Sequence, residues 1–357
     1  MSKVLMAGNA VIGEAAIRAG CQCYFGYPIT PQNELTEYMA EHMSRRKGCT
    51  FIQAESETSA INMVYGASLA GVRTMTSSSS PGISLKQEGI SYLASNELPA
   101  VIVNMTRGGP GLGSICASQS DYFQATRGGG HGDYRTIVLG PSTGQELADL
   151  THRAFDLADM YRIPVVILGD AMLGQMMEPV EFKHEAPDVP PVRPDALRGA
   201  RGRPSRIVKI LSSNPRDVEE LNWSLYRRYQ LIAEQETTSE SFMVDDAELI
   251  VVAFGIGARI ARGAVKNARG YGMKVGLFRP ITLWPFPSES LQALSERTKN
   301  FLVFELNMGQ MLEDVRLALG DKAAVFFYGR PGGVVSTPAE VLRVIARYYY
   351  QRGCARA

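Results

Sequence analysis

The chain has 357 residues, of which 45% are hydrophobic and 20% are charged, and its formal net charge is +1. This length predicts two domains with separate cores, and the ordinary composition argues against disorder. Because 37 basic residues are balanced by 36 acidic ones, no overall field favours nucleic acid or an anionic surface, so any binding site must be local.

The first part of the chain alternates short apolar strands with helical patterns. Thr30 and Pro31 are expected to open one helix, with a capping hydroxyl and a proline in its first turn. Gly71 is expected to end another helix that starts at about Glu57. Such alternation predicts a mainly parallel, doubly wound α/β sheet with helices on both faces. The predicted strands of this part are residues 3–6, 21–25, 50–54, 73–76, 100–105, 136–139 and 164–168.

Residues 183–245 interrupt this alternation. Prolines 187, 190, 191 and 194 and the arginine-rich run 198–204 predict an irregular connection, followed by a charged helix at about 215–236. The basic run could hold phosphate, but a solvated linker over a partner subunit is the favoured interpretation. The alternation then resumes in residues 246–357, which predicts a second, smaller α/β domain.

Cysteine and histidine usage argues against a metal centre in this chain. The cysteines include no Cys-x-x-Cys pair, and an iron–sulfur cluster needs about four thiolates. The histidines lack zinc spacing, so no metal ligands are predicted. Reduced thiols, the absence of a signal-peptide pattern and the absence of a run of roughly 20 apolar residues predict a cytoplasmic protein without a membrane span. The residues concerned are Cys21, Cys23, Cys49, Cys116 and Cys354, and His42, His131, His152 and His184.

Polar segments at two strand ends are the strongest candidates for a site. Thr30 follows the strand 21–25, and Glu55 and Glu57 follow the strand 50–54. In open α/β sheets, ligands bind at the carboxyl ends of strands. A carboxylate near a helix start with apolar neighbours could accept a hydrogen bond from a basic ring nitrogen, although ordinary helix capping is the alternative. From position alone, the two glutamates have equal claims.

Further strand ends add candidates. Arg107 precedes the glycine-rich residues 108–113, where a guanidinium could grip a carboxylate, with a surface salt bridge as the alternative. The serine run 77–80 could face a phosphate or a cofactor ring, but a simple turn is favoured. His131, in a second glycine-rich segment, is a candidate acid or base for which a packing or turn role is favoured.

Together, these segments resemble the α subunits of the 2-oxoacid:ferredoxin oxidoreductases, which are thiamine diphosphate enzymes, and most of all the 2-oxoisovalerate type. The resemblance implies a thiamine-diphosphate pyrimidine-binding domain in residues 1–182, a linker with a charged helix in 183–245, and a domain like the carboxy-terminal domain of transketolase in 246–357. The matching segments, which span nearly the whole chain, are Gly8-Asn9, Tyr27-Pro28-Ile29-Thr30-Pro31, Gln53-Ala54-Glu55-Ser56-Glu57, Ser79-Ser80-Pro81-Gly82 and residues 278–287.

The resemblance also implies roles for individual residues. Glu57, rather than Glu55, falls on the family's cofactor-activating glutamate, which hydrogen-bonds the aminopyrimidine ring and promotes formation of the thiazolium ylid. Thr30 and Arg107 match the residues that contact the substrate, and Pro28 matches a residue that lines the cofactor. Such enzymes decarboxylate a 2-oxoacid, transfer the acyl group to coenzyme A and reduce ferredoxin.

Half of the family's cofactor site has no counterpart in the sequence. The diphosphate and magnesium motif Gly-Asp-Gly is represented only by Gly169-Asp170-Ala171, and no asparagine follows before Asn214. We therefore expect a β subunit to supply the diphosphate and magnesium half and at least one [4Fe–4S] cluster. Small γ and δ subunits are further expected partners. The chain is expected to be inactive alone.

The sequence leaves alternatives open for both the substrate and the class of function. After Arg107, this chain has a glycine-rich segment where the pyruvate-specific members of the family that it resembles have bulkier residues. This departure from the family's pattern favours a branched-chain 2-oxoacid over pyruvate, with 2-oxoglutarate or an aryl 2-oxoacid behind it. Two other functions stay open. One is the β chain of a lipoamide-dependent 2-oxoacid dehydrogenase, and the other is a non-catalytic scaffold subunit.

Overall fold

A computed structural model describes residues 3–185, 193–209 and 211–351. Prolines 187, 190 and 191 and Cys354, which the sequence analysis singled out, lie outside these residues. In the described part of the chain, no helix is long and apolar enough to cross a membrane.

Two sets of elements follow one another along the chain. The first comprises β1 (Val4–Ala7), α1 (Gly8–Arg18), β2 (Cys23–Gly26), α2 (Asn33–Met43), β3 (Thr50–Gln53), α3 (Glu57–Leu69), β4 (Thr74–Ser78), α4 (Ser80–Ser95), β5 (Ala100–Thr106), α5 (Tyr122–Arg127), β6 (Ile137–Leu139), α6 (Gly144–Tyr161), β7 (Pro164–Asp170), α7 (Ala171–Gln175) and β8 (Met177–Val180). The second comprises α8 (Pro215–Glu236), β9 (Ser239–Phe242), β10 (Leu249–Val252), α9 (Gly255–Gly270), β11 (Val275–Pro280), β12 (Thr282–Trp284), α10 (Ser288–Ser295), β13 (Asn300–Glu305), α11 (Gln310–Leu319), β14 (Ala324–Gly329) and α12 (Pro338–Gln351).

The first sheet confirms the predicted doubly wound architecture. Its strand order is β12-β6-β7-β5-β4-β2-β3, and every pairing is parallel except that of β12 with β6. Alternate residues of β5 enter two different cores: Val101 and Val103 pack in one, and Ile102 packs in the other. The strand is therefore covered by apolar side chains on both faces, as a continuous hydrophobic run predicts.

The strand order creates a crevice at one edge of this sheet. From β2 the chain moves outward to β3 and then crosses back to β4, on the other side of β2. A reversal of this kind is where open α/β sheets bind ligands, beyond the carboxyl ends of the strands. The segments that follow β2, β3, β4 and β5 all lie along this edge.

The second sheet confirms a smaller α/β unit. Its order is β14-β13-β10-β11-β9, with β9 antiparallel. The two sheets are tied together, because β12 pairs with β6 of the first sheet and one apolar core includes both Val138 and Ile250. The domain boundaries at residues 182 and 245 stay a prediction.

One predicted helix start is wrong. Helix α2 begins at Asn33, not at Thr30 and Pro31. The reason is that side chains from elsewhere take the carbonyls of this segment. Arg107 Nη1 donates to Thr30 O at 2.8 Å, and Asn9 Nδ2 donates to Pro31 O at 2.8 Å. The segment is thus a fixed loop rather than the first turn of a helix.

The basic connection packs on this chain's own helix. Arg193 Nη2 donates to Ser68 O at 2.5 Å, and Arg198 Nε donates to Ala70 O at 3.3 Å. Both carbonyls belong to the carboxyl end of α3, where cations are favourable. The expected charged helix is confirmed as α8, and the predicted end of α3 is confirmed at Gly71, whose φ is +85°.

Candidate active site

The structure brings the predicted residues Thr30, Glu57 and Arg107 to the same edge of the first sheet. Thr30 follows β2, Glu57 starts α3 after β3, and Arg107 follows β5. The turn between β4 and α4 links them. Ser78 Oγ donates to Glu57 Oε1 at 2.5 Å, and the Arg107 backbone N–H donates to Ser80 Oγ at 3.0 Å.

The geometry separates the two glutamates. Glu57 is 3% exposed, whereas Glu55 is exposed and accepts a hydrogen bond from Ser59 Oγ. Helix α3 is capped by Ser56, whose Oγ accepts from the Ser59 backbone N–H at 3.1 Å. Glu57 is therefore not needed as a cap. Its carboxylate is buried at this edge of the sheet instead, against Ser78.

A lysine that the sequence analysis did not single out lies against Glu57. The Lys86 side chain is 0% exposed, and its Nζ forms an ion pair with Glu57 Oε2. Burial lowers the pKa of Lys86, and the Glu57 carboxylate acts in the opposite direction. The helical spacing from Ile83 and to Ile90, which are both buried, could have indicated that this lysine lies on the inner face of α4.

Gly82 lets helix α4 pack directly against the side chains of Ser78 and Glu57. A Cβ on Gly82 would lie 2.1 Å from Ser78 Oγ and 2.4 Å from Glu57 Oε1, so only glycine allows this close approach. Two buried polar atoms at the same edge, Ser79 Oγ and Arg107 Nε, have no hydrogen-bond partner within the described residues. Buried polar atoms normally have partners, so these two are available to a bound molecule.

Hydrogen bonds among buried side chains fix the loop that carries Thr30. The Tyr24 hydroxyl lies 2.5 Å from Ser77 Oγ and 3.0 Å from Thr36 Oγ1, and Gln32 Nε2 donates to Tyr27 O at 3.3 Å. A network of this kind fixes the backbone around Thr30. Pro28, the predicted cofactor-lining residue, is exposed at the start of this loop.

The glycine-rich segment after Arg107 is anchored to the second part of the chain. Gly108 N donates to Cys116 O at 3.0 Å, and Ser114 Oγ donates to Gly332 O at 3.1 Å. Two apolar side chains of this segment project outward: Leu112 is 79% exposed and Ile115 is 64% exposed. The segment that follows Arg107 therefore presents two apolar side chains on its exposed surface.

Asp170 and His131 take no part in the contacts described above. Asp170 Oδ1 accepts from the backbone N–H groups of Met172 and Leu173, so it caps α7, and burial raises its pKa to about 6. His131 is exposed in the loop after α5. The described residues contain no group of three or more His, Cys, Asp or Glu side chains that could hold a metal ion.

Comparison with protein families decides the class. Residues 14–243 match the model described as "Pyruvate flavodoxin/ferredoxin oxidoreductase, thiamine diP-bdg". The chain belongs to this family. Residues 247–341 match a second model of the same family, "Pyruvate:ferredoxin oxidoreductase core domain II". The family membership expected from the sequence is confirmed, and the interpretation as a lipoamide-dependent dehydrogenase chain is set aside.

Individual members of the family are similar over almost the whole chain. Ketoisovalerate oxidoreductase subunit VorB from Methanothermobacter thermautotrophicus is 49% identical, over 97% of this chain and 97% of the relative. 2-Oxoglutarate synthase subunit KorA from the same organism is 36% identical, over 95% of this chain and 97% of the relative. The solved 2-oxoglutarate:ferredoxin oxidoreductase from Magnetococcus marinus, with 2-oxoglutarate, coenzyme A and succinyl-CoA bound, has a TM-score of 0.86 at 27% identity. That match covers 98% of this chain but 65% of the Magnetococcus chain.

Proposed function

We propose that this chain is the α subunit of a coenzyme A-acylating 2-oxoacid:ferredoxin oxidoreductase, and that it binds the aminopyrimidine end of thiamine diphosphate. The observation that carries the proposal is the buried Glu57 carboxylate, which is held by Ser78 at the same edge of the sheet as Thr30 and Arg107. When bound, thiamine diphosphate supplies the carbon nucleophile and the electron sink for decarboxylation.

The residues of the crevice then have distinct tasks. Glu57 holds a proton at a carboxylate oxygen opposite the ring nitrogen, and its burial keeps water from competing for that bond. Arg107 binds the carboxylate of the 2-oxoacid, because a guanidinium offers parallel donors and its Nε has no partner within the described chain. Thr30, whose carbonyl is fixed by Arg107, contacts the substrate from the other side. Pro28 lines the cofactor.

The apolar segment after Arg107 supports a branched-chain 2-oxoacid as substrate. Leu112 and Ile115 would contact an aliphatic side chain, while residues 108–118 contain no Lys or Arg for the second carboxylate of 2-oxoglutarate. The relative that is 49% identical has ketoisovalerate in its name, which points the same way. 2-Oxoglutarate and aryl 2-oxoacids remain the alternatives for the assay.

Partner subunits complete the site in this proposal. The Asp170 carboxylate, the nearest counterpart of the diphosphate motif, is already used as the cap of α7. A β subunit would therefore provide the diphosphate and magnesium half and a [4Fe–4S] cluster, with small γ and δ subunits as further components. Coenzyme A accepts the acyl group, and ferredoxin leaves reduced.

The test is to co-express the chain with the products of its neighbouring genes and to purify the assembly. Viologen reduction is then measured with coenzyme A and 3-methyl-2-oxobutanoate, 2-oxoglutarate, pyruvate or an aryl 2-oxoacid. We expect thiamine diphosphate-dependent reduction that is fastest with the branched-chain acid, and none with the isolated chain. An assembly that binds thiamine diphosphate but oxidises no 2-oxoacid would contradict the proposal and favour a scaffold role.

A further inference from the structure

A fully buried lysine contacts the carboxylate that is proposed to receive the cofactor ring. Lys86 Nζ forms an ion pair with Glu57 Oε2 and also lies 3.4 Å from Glu57 O. Ser78 Oγ donates to the other carboxylate oxygen of Glu57. Both carboxylate oxygens therefore have a polar partner in the protein itself, and a ring nitrogen must share or replace one of these contacts.

Few other titratable groups face this ion pair. Burial lowers the pKa of Lys86, and Glu57 is the ionisable neighbour that opposes this shift. Within the described residues, Tyr24 of β2 also senses the Glu57 charge, and burial raises the pKa of Tyr24 to about 12. The tyrosine thus stays neutral at ordinary pH. The proton balance of this part of the crevice depends on Lys86 and Glu57.

Charge balance limits where a proton can be when the site is filled. A buried ion is costly unless it is paired, and Lys86 with Glu57 forms a neutral pair that holds one acidic proton. A ring nitrogen bonded to Glu57 needs one proton between itself and the carboxylate. If Lys86 kept its own proton as well, the buried group would carry a net positive charge without a counterion.

We propose that Lys86 stores the proton that Glu57 uses when the cofactor ring binds. One N–H bond of the Lys86 ammonium breaks, one O–H bond forms at Glu57 Oε2, and the lysine is left as a neutral amine. Lys86 acts on the cofactor through Glu57, so it is a positioning residue. This inference rests on the proposed function, because it requires the aminopyrimidine ring at Glu57.

The number of protons taken up on binding tests the inference directly. Thiamine diphosphate is titrated into the cofactor-free assembly by calorimetry, in buffers of different ionisation enthalpy, from about pH 6.5 to about pH 8.5. The same titration with an analogue that has carbon in place of the ring nitrogen corrects for the diphosphate. We expect a difference near zero protons throughout this range. Uptake of about one proton from solvent would show that Lys86 keeps its proton and would overturn the inference.

Substitutions of Lys86 distinguish between two roles for this residue, a donor of the proton and a simple counterion of Glu57. Lys86→Arg keeps the positive charge, but a guanidinium does not give up its proton in proteins. We therefore expect this variant to take up about one proton per ring, with an affinity that falls about tenfold per pH unit in the alkaline range. Lys322→Met, at an exposed position, is the control and should behave as wild type.

Wild-type behaviour of Lys86→Arg would mean that only the charge matters, and the inference would be wrong. Lys86→Met, which removes both charge and proton, should also acquire pH-dependent binding, and thermal melting of each assembly checks that it is folded. The wild-type proton count needs no variant. If the wild-type assembly binds no thiamine diphosphate, the proposed function fails; if it binds and turns over with uptake of one proton, only the role of Lys86 fails.

Discussion

Replacing Gly82 by alanine tests the central geometry of the site with a single methyl group. The added Cβ would lie 2.1 Å from Ser78 Oγ and 2.4 Å from Glu57 Oε1, well inside normal contact distances. It must therefore push these two side chains apart or displace α4. Gly66, in the interior of α3, is a matched control, because a Cβ there meets nothing within 4 Å.

The two substitutions are expected to change the free energy of unfolding in opposite directions. Alanine in place of a helical glycine stabilises by roughly 0.5–1 kcal/mol, and this gain applies at both positions. At Gly82 it is opposed by overpacking, roughly 1–3 kcal/mol, and by loss of the bond from Ser78 to the Glu57 carboxylate, roughly 1.5–3 kcal/mol. Gly82→Ala should therefore destabilise by roughly 2–5 kcal/mol, whereas Gly66→Ala should stabilise slightly.

Thermal melting and cofactor titration of the two purified variants measure these effects. A loss of about 3 kcal/mol in the free energy of unfolding, near the middle of that range, lowers Tm by roughly 6–12 °C for a domain of about 150–250 residues. The intruding methyl group should also weaken thiamine diphosphate binding on the order of 100-fold, because it must displace the Glu57 carboxylate that is proposed to bind the cofactor ring. Equal Tm and equal cofactor affinity for Gly82→Ala and Gly66→Ala would refute the arrangement of Glu57 against Gly82.

Three further predictions concern single side chains. In the assembly, Glu57→Gln should leave subunit association intact but lower proton exchange at the cofactor C2 roughly 100-fold or more, as followed by NMR; wild-type exchange would rule out its role. Arg107→Ala should raise KM for the 2-oxoacid at least about tenfold, while Arg45→Ala, at an exposed position, should not; an unchanged KM for both would favour a scaffold. Burial raises the pKa of Glu305 to about 7, so its contribution to the free energy of unfolding should fall as pH rises from about 4.5 to about 7; denaturation at each pH should show a shallower fall for Glu305→Gln.

The pattern of hydrophobic residues along the sequence was sufficient to predict the regular parts of the fold. The alternation of apolar strands and helices predicted the parallel sheet, and a proline followed by a charged helical pattern placed α8 at its observed bounds, Pro215–Glu236. Strands β1 and β8 show the limit of such patterns. They pair antiparallel with each other outside the main sheet, with Val4 opposite Val180. A short apolar run indicates a strand, but it does not indicate which other strand will pair with it.

Assigning residues to the candidate site required both the sequence motifs and the geometry of the folded chain. Position after a strand could not distinguish Glu55 from Glu57, because both stand near the start of α3 and the difference is a matter of which side chain is buried. The start of α2 was mispredicted at Thr30 for a related reason. A hydroxyl before a proline favours a helix cap locally, but Arg107, 77 residues away in sequence, takes the carbonyl of Thr30. Tertiary hydrogen bonds of this kind leave no local signal.

In the proposed function, the buried ion pair lets this chain prepare its half of the active site before a partner subunit binds. A carboxylate that is buried without a polar partner is costly. Lys86 and Ser78 instead hold it in place within a neutral, hydrogen-bonded group. On that proposal, the carboxylate is ordered when this chain folds, so binding energy from the partner and the cofactor would remain available for orienting the reacting atoms.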